Sequence, residues 1–276
     1  SSSVSSSLNS GVIEIVSTNG AFAALKNDGS VVTWGLARDG GDSSEISDQL
    51  SSGVNKIYST NYSFAALKND GSVVTWGFDK KAGQIDYLWG PWTSKGENGN
   101  SNVLESGVSK ICTISDGYFA AIKIDGSVVV WGWGPPGVWL QEEDPDVIRF
   151  DEISNQLSTA VVNIFSTGRA AAALKNDGSV VTWGEKISGG DSNSVITQIS
   201  GDVISISTNA YSFAALKSDG SVVTWGRNAR GGDSSLVSNH LSSGVQKIYG
   251  SRDTFAALKD DGSVIAWGQY QPISDM

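Results

Sequence analysis

One sentence is written six times in this chain. The stretch 64–77, Phe-Ala-Ala-Leu-Lys-Asn-Asp-Gly-Ser-Val-Val-Thr-Trp-Gly, recurs with few changes, and every copy ends in Trp-Gly. The repeat tryptophans are Trp34, Trp76, Trp131, Trp183, Trp225 and Trp267. A period of about 42 residues restricts the fold to a propeller or another array of supersecondary units. Each unit of such an array buries its faces only against its neighbours. Residues shared by all six copies are therefore expected to be scaffold, and any specific activity is expected where the copies differ.

A single copy reads as a series of short strands. Val54-Asn55-Lys56-Ile57-Tyr58-Ser59 alternates and is rich in β-formers, and Phe64 begins a second strand. Asp70-Gly71 is a hairpin signal, read here as a type I′ turn with positive φ at both central residues. Val73-Val74-Thr75-Trp76 is the return strand, apolar enough for burial on both faces. A fourth strand is assigned to 43–50 in the first copy, with counterparts at 234–241 and, more loosely, 153–157, and Gly-Gly-Asp turns stand at 40–42, 189–191 and 231–233. With 33 glycines and no lasting 3.6-residue stripe, helix is not expected.

Four strands per unit describe a propeller blade. The fold expected is all-β: a single six-bladed β-propeller of four-stranded antiparallel blades spanning 1–276, with seven blades as the alternative. The repeats run at about 11–50, 53–104, 107–157, 161–200, 203–241 and 244–276 plus 1–8. Segment 1–8 aligns with 234–241, so the chain starts and stops at one phase of the repeat. The N-terminal strand is then expected to join the last blade and close the ring.

The pattern Ala-Leu-Lys-x-Asp-Gly-Ser-Val-x-x-Trp-Gly resembles the repeat of the regulator-of-chromosome-condensation family of propellers, and Ala82-Gly83-Gln84-Ile85 resembles that family's Gly-Gln-Leu-Gly turn. The resemblance covers nearly the whole chain. It implies a propeller, usually of seven blades, that binds proteins through loops on one face. Family roles range from nucleotide exchange on a small GTPase to β-lactamase inhibition and scaffolding. The motif is structural and carries over no functional residue. By analogy, an acidic chain of near-identical repeats points to a bacterial or phage source, and to an extracellular or surface setting over a cytoplasmic one.

Composition narrows the chemistry. The formal charge is −10, which opposes a phosphate backbone, so nucleic acid is not an expected partner. No apolar run is long enough to cross a membrane. Cys112 is the only cysteine, so it has no intrachain disulfide partner, and it reads as a strand residue. His240 is the only histidine, which excludes multi-histidine metal sites and reduces any Ser-His-Asp triad to this one residue. The glycines belong to turns rather than to a phosphate-cradling loop. No cofactor, metal or catalytic residue is assigned. The acidic run 142–146 reads as a solvated loop, with calcium as a minor alternative. A carboxylate pair for glycoside hydrolysis, Glu143 with Asp151 or Glu152, is the enzymatic alternative. The chain is expected not to be an enzyme.

The period fails at two places. The linkers after Trp76 and Trp131 are about 12 and about 10 residues longer than the others, with insertions at about 78–104 and 132–152. They carry Tyr87, Trp89 and Trp92, then Trp133 and Trp139. Rigid aromatic side chains with a polar tip suit a protein interface and also stack on sugar rings. Three readings stay open: the rings pack on each other, they bind a protein partner, or they bind a glycan. A second variable place precedes the second strand of each repeat and offers Tyr62, Tyr118, Arg169, Tyr211, Arg252 and Asp253. Near an axis, these would decorate one channel mouth and suit an anionic or polar ligand. The function expected is non-enzymatic protein binding through the Trp-rich loops, with carbohydrate binding as the alternative and glycoside hydrolysis ranked below both.

Overall fold

The computed structural model describes residues 4–77, 88–89, 102–114, 117–132 and 145–269. The described strands form six antiparallel sheets, one for each repeat tryptophan. They fall into two compact units, Ser1–Gly134 and Pro135–Met276.

In the first unit, β1 (Val12–Ser17), β2 (Ala21–Lys26) and β3 (Val31–Gly35) form sheet one, and β4 (Val54–Ser59), β5 (Ser63–Lys68) and β6 (Val73–Gly77) form sheet two. Strand β7 (Leu88–Trp89) pairs with the return strand of sheet three, which also holds β8 (Val108–Ile114), β9 (Tyr118–Lys123) and β10 (Val128–Gly132). In the second unit, β11 (Val147–Ile148) precedes a short helix, α1 (Phe150–Ile153), and then β12 (Val161–Ser166), β13 (Ala170–Lys175) and β14 (Val180–Glu185). Strand β11 pairs on β14 to complete sheet four. Sheet five is β15 (Val203–Thr208), β16 (Ser212–Lys217) and β17 (Val222–Gly226), and sheet six is β18 (Val245–Gly250), β19 (Thr254–Lys259) and β20 (Val264–Gly268).

The repeated Asn-Asp-Gly-Ser corner differs from the expected type I′ turn. Only the glycine has positive φ, 76° at Gly29, and its N–H donates to Lys26 O at 2.9 Å. That is a type I turn followed by a left-handed glycine. Asp28 explains the choice: its carboxylate accepts the Ser30 N–H at 3.0 Å and the Ser30 hydroxyl at 2.6 Å, which holds the aspartate in negative φ. A Cβ on Gly29 would lie 2.8 Å from Gly53 N, because the Gly29 carbonyl accepts the Val54 N–H of the next sheet.

The assigned fourth strands are not strands. Segments 43–50 and 234–241 wind into 3-10 turns, Ser44–Ile46 and Ser235–Leu241, and 153–157 lies in α1 and the 3-10 turn Ser154–Leu157. Residues 4–8 likewise form turns, with Leu8 N donating to Val4 O at 3.2 Å, and sheet six has three strands among the described residues. Local hydrogen bonding prevails over sheet pairing. Asp42 accepts the Ser44 N–H, and Ser51, Ser158 and Ser242 hydroxyls return to the carbonyls three residues earlier. The turns present Ile46 with Leu50, and Val237 with Leu241, four residues apart, onto the sheets. Among the described residues the fourth strands are β7 and β11, and both come from the insertions.

Packing within each unit is directional. Ala21, Ala23 and Leu25 of sheet one, with Ile46 and Leu50, cover Val54, Ile57, Phe64, Val74 and Trp76 of sheet two. Sheets five and six meet in the same way through Ala214, Leu216, Val237 and Leu241 against Val245, Ile248, Phe255 and Trp267. The repeated lysine clips the preceding turn, as Lys68 Nζ donates to Gln49 O at 3.0 Å and Lys259 Nζ to His240 O at 2.7 Å.

Candidate functional site

Three of the scaffold tryptophans are inter-sheet clamps. Trp76, Trp225 and Trp267 each donate their indole N–H to a glycine carbonyl of the preceding sheet, at Gly40, Gly189 and Gly231, all at 3.1 Å. Each stacks on a phenylalanine of its own sheet, as in Phe213–Trp225 at 5.1 Å. The receiving glycine is left-handed, and a Cβ at Gly189 would stand 2.6 Å from the Phe213 ring. This accounts for the motif Trp-Gly-x-x-x-x-Gly-Gly-Asp in the first, fourth and fifth copies. The threonine before the tryptophan ties the motif down, with Thr182 Oγ1 bonded to Gly190 O and Ser192 Oγ at 2.9 Å each.

The four residues inside that motif differ in every copy: Leu36-Ala37-Arg38-Asp39, Glu185-Lys186-Ile187-Ser188 and Arg227-Asn228-Ala229-Arg230. They fold as 3-10 turns at the sheet end, Ala37–Asp39, Lys186–Ser188 and Asn228–Arg230. Their first residue sits on the other variable position: Leu36 N donates to Gly20 O, Glu185 N to Arg169 O, and Arg227 N to Tyr211 O. Two variable places separated in sequence thus share one edge of sheets one, four and five. Of the two, the turn after Trp-Gly is not among the expected site residues. The available signal was four differing residues between identical Thr-Trp-Gly and Gly-Gly-Asp.

Neighbouring sheets continue this edge. In the second unit Gly168 N donates to Ala210 O, and Ala210 N to Arg252 O, both at 3.1 Å. Arg169 pairs with Glu185 at 3.0 Å, and Ser188 Oγ also donates to that carboxylate. Tyr211 lies under two guanidinium groups, Arg227 at 5.0 Å and Arg230 at 5.3 Å from its ring centroid. Arg230 in turn pairs with Asp253 at 2.7 Å, while Arg252 is exposed beside it. Four of the second candidate set, Arg169, Tyr211, Arg252 and Asp253, are therefore brought together. In the first unit Tyr62 is half-buried at the same edge, next to the bond from Asn19 N to Asn61 O. Tyr118 is different: it is a buried residue within β9.

Of the Trp-rich set, Trp89 lies in β7, where its backbone pairs with Val130. Tyr87, Trp92, Trp133 and Trp139 lie outside the described residues, as do Glu142 and Glu143. Asp151 and Glu152 are held by Arg149, with Arg149 Nε 2.9 Å from Asp151 and 3.9 Å from Glu152. A cleft of about 490 Å³ in the second unit is lined by Asp146, Glu185, Lys186, Ile187, Asp191 and Ser194. Among the described residues no group of three or more His, Cys, Asp or Glu could hold a metal ion, and no helix is long and apolar enough to cross a membrane. His240 is exposed, and Cys112 is half-buried in β8.

Comparison with known proteins gives the same repeat. Residues 203–231 match the model of the regulator of chromosome condensation (RCC1) repeat, which spans sheet five and its variable turn. No curated protein matches the chain. Among solved structures, human WBSCR16 is 15% identical, with 95% of this chain and 77% of that chain covered and a TM-score of 0.52. Prp20p of Saccharomyces cerevisiae is 15% identical, with 93% and 72% covered and a TM-score of 0.48. The CRINKLY WD40 ectodomain of the Arabidopsis thaliana receptor kinase ACR4 is 14% identical, with 96% and 82% covered and a TM-score of 0.42.

Proposed function

We propose that this chain, built of RCC1-like β-propeller repeats, is a protein-binding module that presents its variable turns and its Trp-rich insertions to a partner. One observation carries the reading: residues that differ between copies gather at one edge of the sheets, on a scaffold whose interior is kept. A surface that varies on an invariant frame is how repeat proteins build recognition. The variable edge offers Arg and Tyr, two of the residue types that anchor protein interfaces. The same reading takes the six sheets as the six blades of one propeller spanning 1–276, supported by one sheet for each repeat.

A displayed peptide library selected against the chain tests the proposal. Selected peptides should lose at least about tenfold in affinity on Trp89→Ala, Trp139→Ala or Tyr211→Ala, at unchanged melting temperature. Peptides indifferent to all three variants overturn it. So does a glycan array that binds the chain and loses its signal on Trp92→Ala, which supports the carbohydrate alternative.

A further inference from the structure

We infer that the Tyr211–Arg227–Arg230 cluster is a clamp for a carboxylate of an acidic partner segment, an inference that rests on the protein-binding reading above. In sheet four the charges at this edge are matched in place, since Arg169 meets Glu185. At the same two positions of sheet five stand Tyr211 and Arg227, and Arg227 has no ion pair among the described residues. Its Nε is buried and has no hydrogen-bond partner among the described residues. Asp253 pairs with Arg230, which also donates to the Gln269 side chain at 2.5 Å. The cluster therefore keeps a surplus positive charge in a chain of net charge −10.

The clamp is held in place before any ligand arrives. The Arg230 carbonyl accepts Asn209 Nδ2 at 2.6 Å and Ser212 Oγ at 2.7 Å, and Arg227 N donates to Tyr211 O. A guanidinium stacked on a ring keeps its planar fork of donors in one orientation, and that fork matches a carboxylate with two parallel hydrogen bonds. Exposed Arg252, on the loop bonded to Ala210, adds a second cation for a neighbouring acidic residue. A peptide carrying one or two carboxylates needs no more than this. A nucleic acid would set many phosphates against the acidic remainder of the chain.

Titrating the ¹⁵N-labelled chain with acetyl-Glu-Glu-amide, and following the Arg Nε–H resonances, tests the clamp. Arg227 Nε–H should shift saturably. Affinity should fall at least tenfold in Arg227→Gln, fall severalfold in Arg227→Lys, which keeps the charge without the fork, and stay unchanged in Arg169→Gln. Wild-type affinity in both Arg227 variants, equal loss in Arg169→Gln, or no saturable shift overturns the clamp. Inorganic phosphate binding more tightly than the peptide, with the same Arg227 dependence, also overturns it and assigns the site to phosphate. Failure here, with peptides from the displayed library still lost on Trp139→Ala, rejects the clamp alone. No binding of peptides by any route rejects the protein-binding reading itself.

Discussion

At the scale of single residues, the repeat is held by pairs that look unremarkable in sequence. A tryptophan indole and a glycine carbonyl 36 positions earlier form a buried bond between sheets, as in Trp225 to Gly189. Removing the donor leaves a buried carbonyl unsatisfied, and Trp225→Phe is expected to cost about 1–3 kcal/mol in urea unfolding. Gly189→Ala is expected to cost at least as much, because its Cβ would stand 2.6 Å from the Phe213 ring at φ 97°. A Gly189→Ala variant as stable as the parent would show that the clamp does not depend on close approach. The glycine pair is legible from sequence, and its role is not: only the packed neighbour shows what the missing side chain makes room for.

At the scale of elements, sheet four shows how the repeat tolerates change. Every other copy stacks a phenylalanine on its tryptophan, at Phe22, Phe64, Phe119, Phe213 and Phe255. Sheet four has Ala171 there, and Phe150 of α1 meets Trp183 edge-on at 5.7 Å instead. Phe150 is fully buried, so Phe150→Ala should destabilise by about 3–5 kcal/mol, whereas a loop ornament would cost under about 0.5 kcal/mol. Denaturant titration distinguishes these values. The 3-10 turns do not stand apart from strands in sequence because Ser, Asp and Asn give no period. Their one signal, apolar residues four apart at Ile46 with Leu50 and Val237 with Leu241, lasts a single turn.

At the scale of the whole molecule, identical copies multiply small effects. Six turn aspartates, Asp28, Asp70, Asp125, Asp177, Asp219 and Asp261, are each held below the ordinary value of 3.8, first by the serine hydroxyl two residues on and then by its N–H. A carboxylate lowered on folding contributes stability that is complete above its unfolded value and is lost as pH falls through the folded one. The melting temperature should therefore drop as pH falls from about 5 to about 3, and drop less in an Asp70→Asn, Asp177→Asn, Asp219→Asn triple variant. An equal drop would place the acid sensitivity elsewhere. Sequence alone determined the six-fold repeat, the strand-and-hairpin unit and the division between kept and varied positions, because hairpin period and turn chemistry are local. Tertiary structure alone decided which residues those positions meet. Ile15 and Phe22 hold the same repeat positions as Ile57 and Phe64, yet they are 58% and 44% exposed where their counterparts are 2% and 0%. Burial is a relation between surfaces, and the pairing of Tyr211 with Arg227 and Arg230 is likewise made by sheet ends that the chain brings together only on folding.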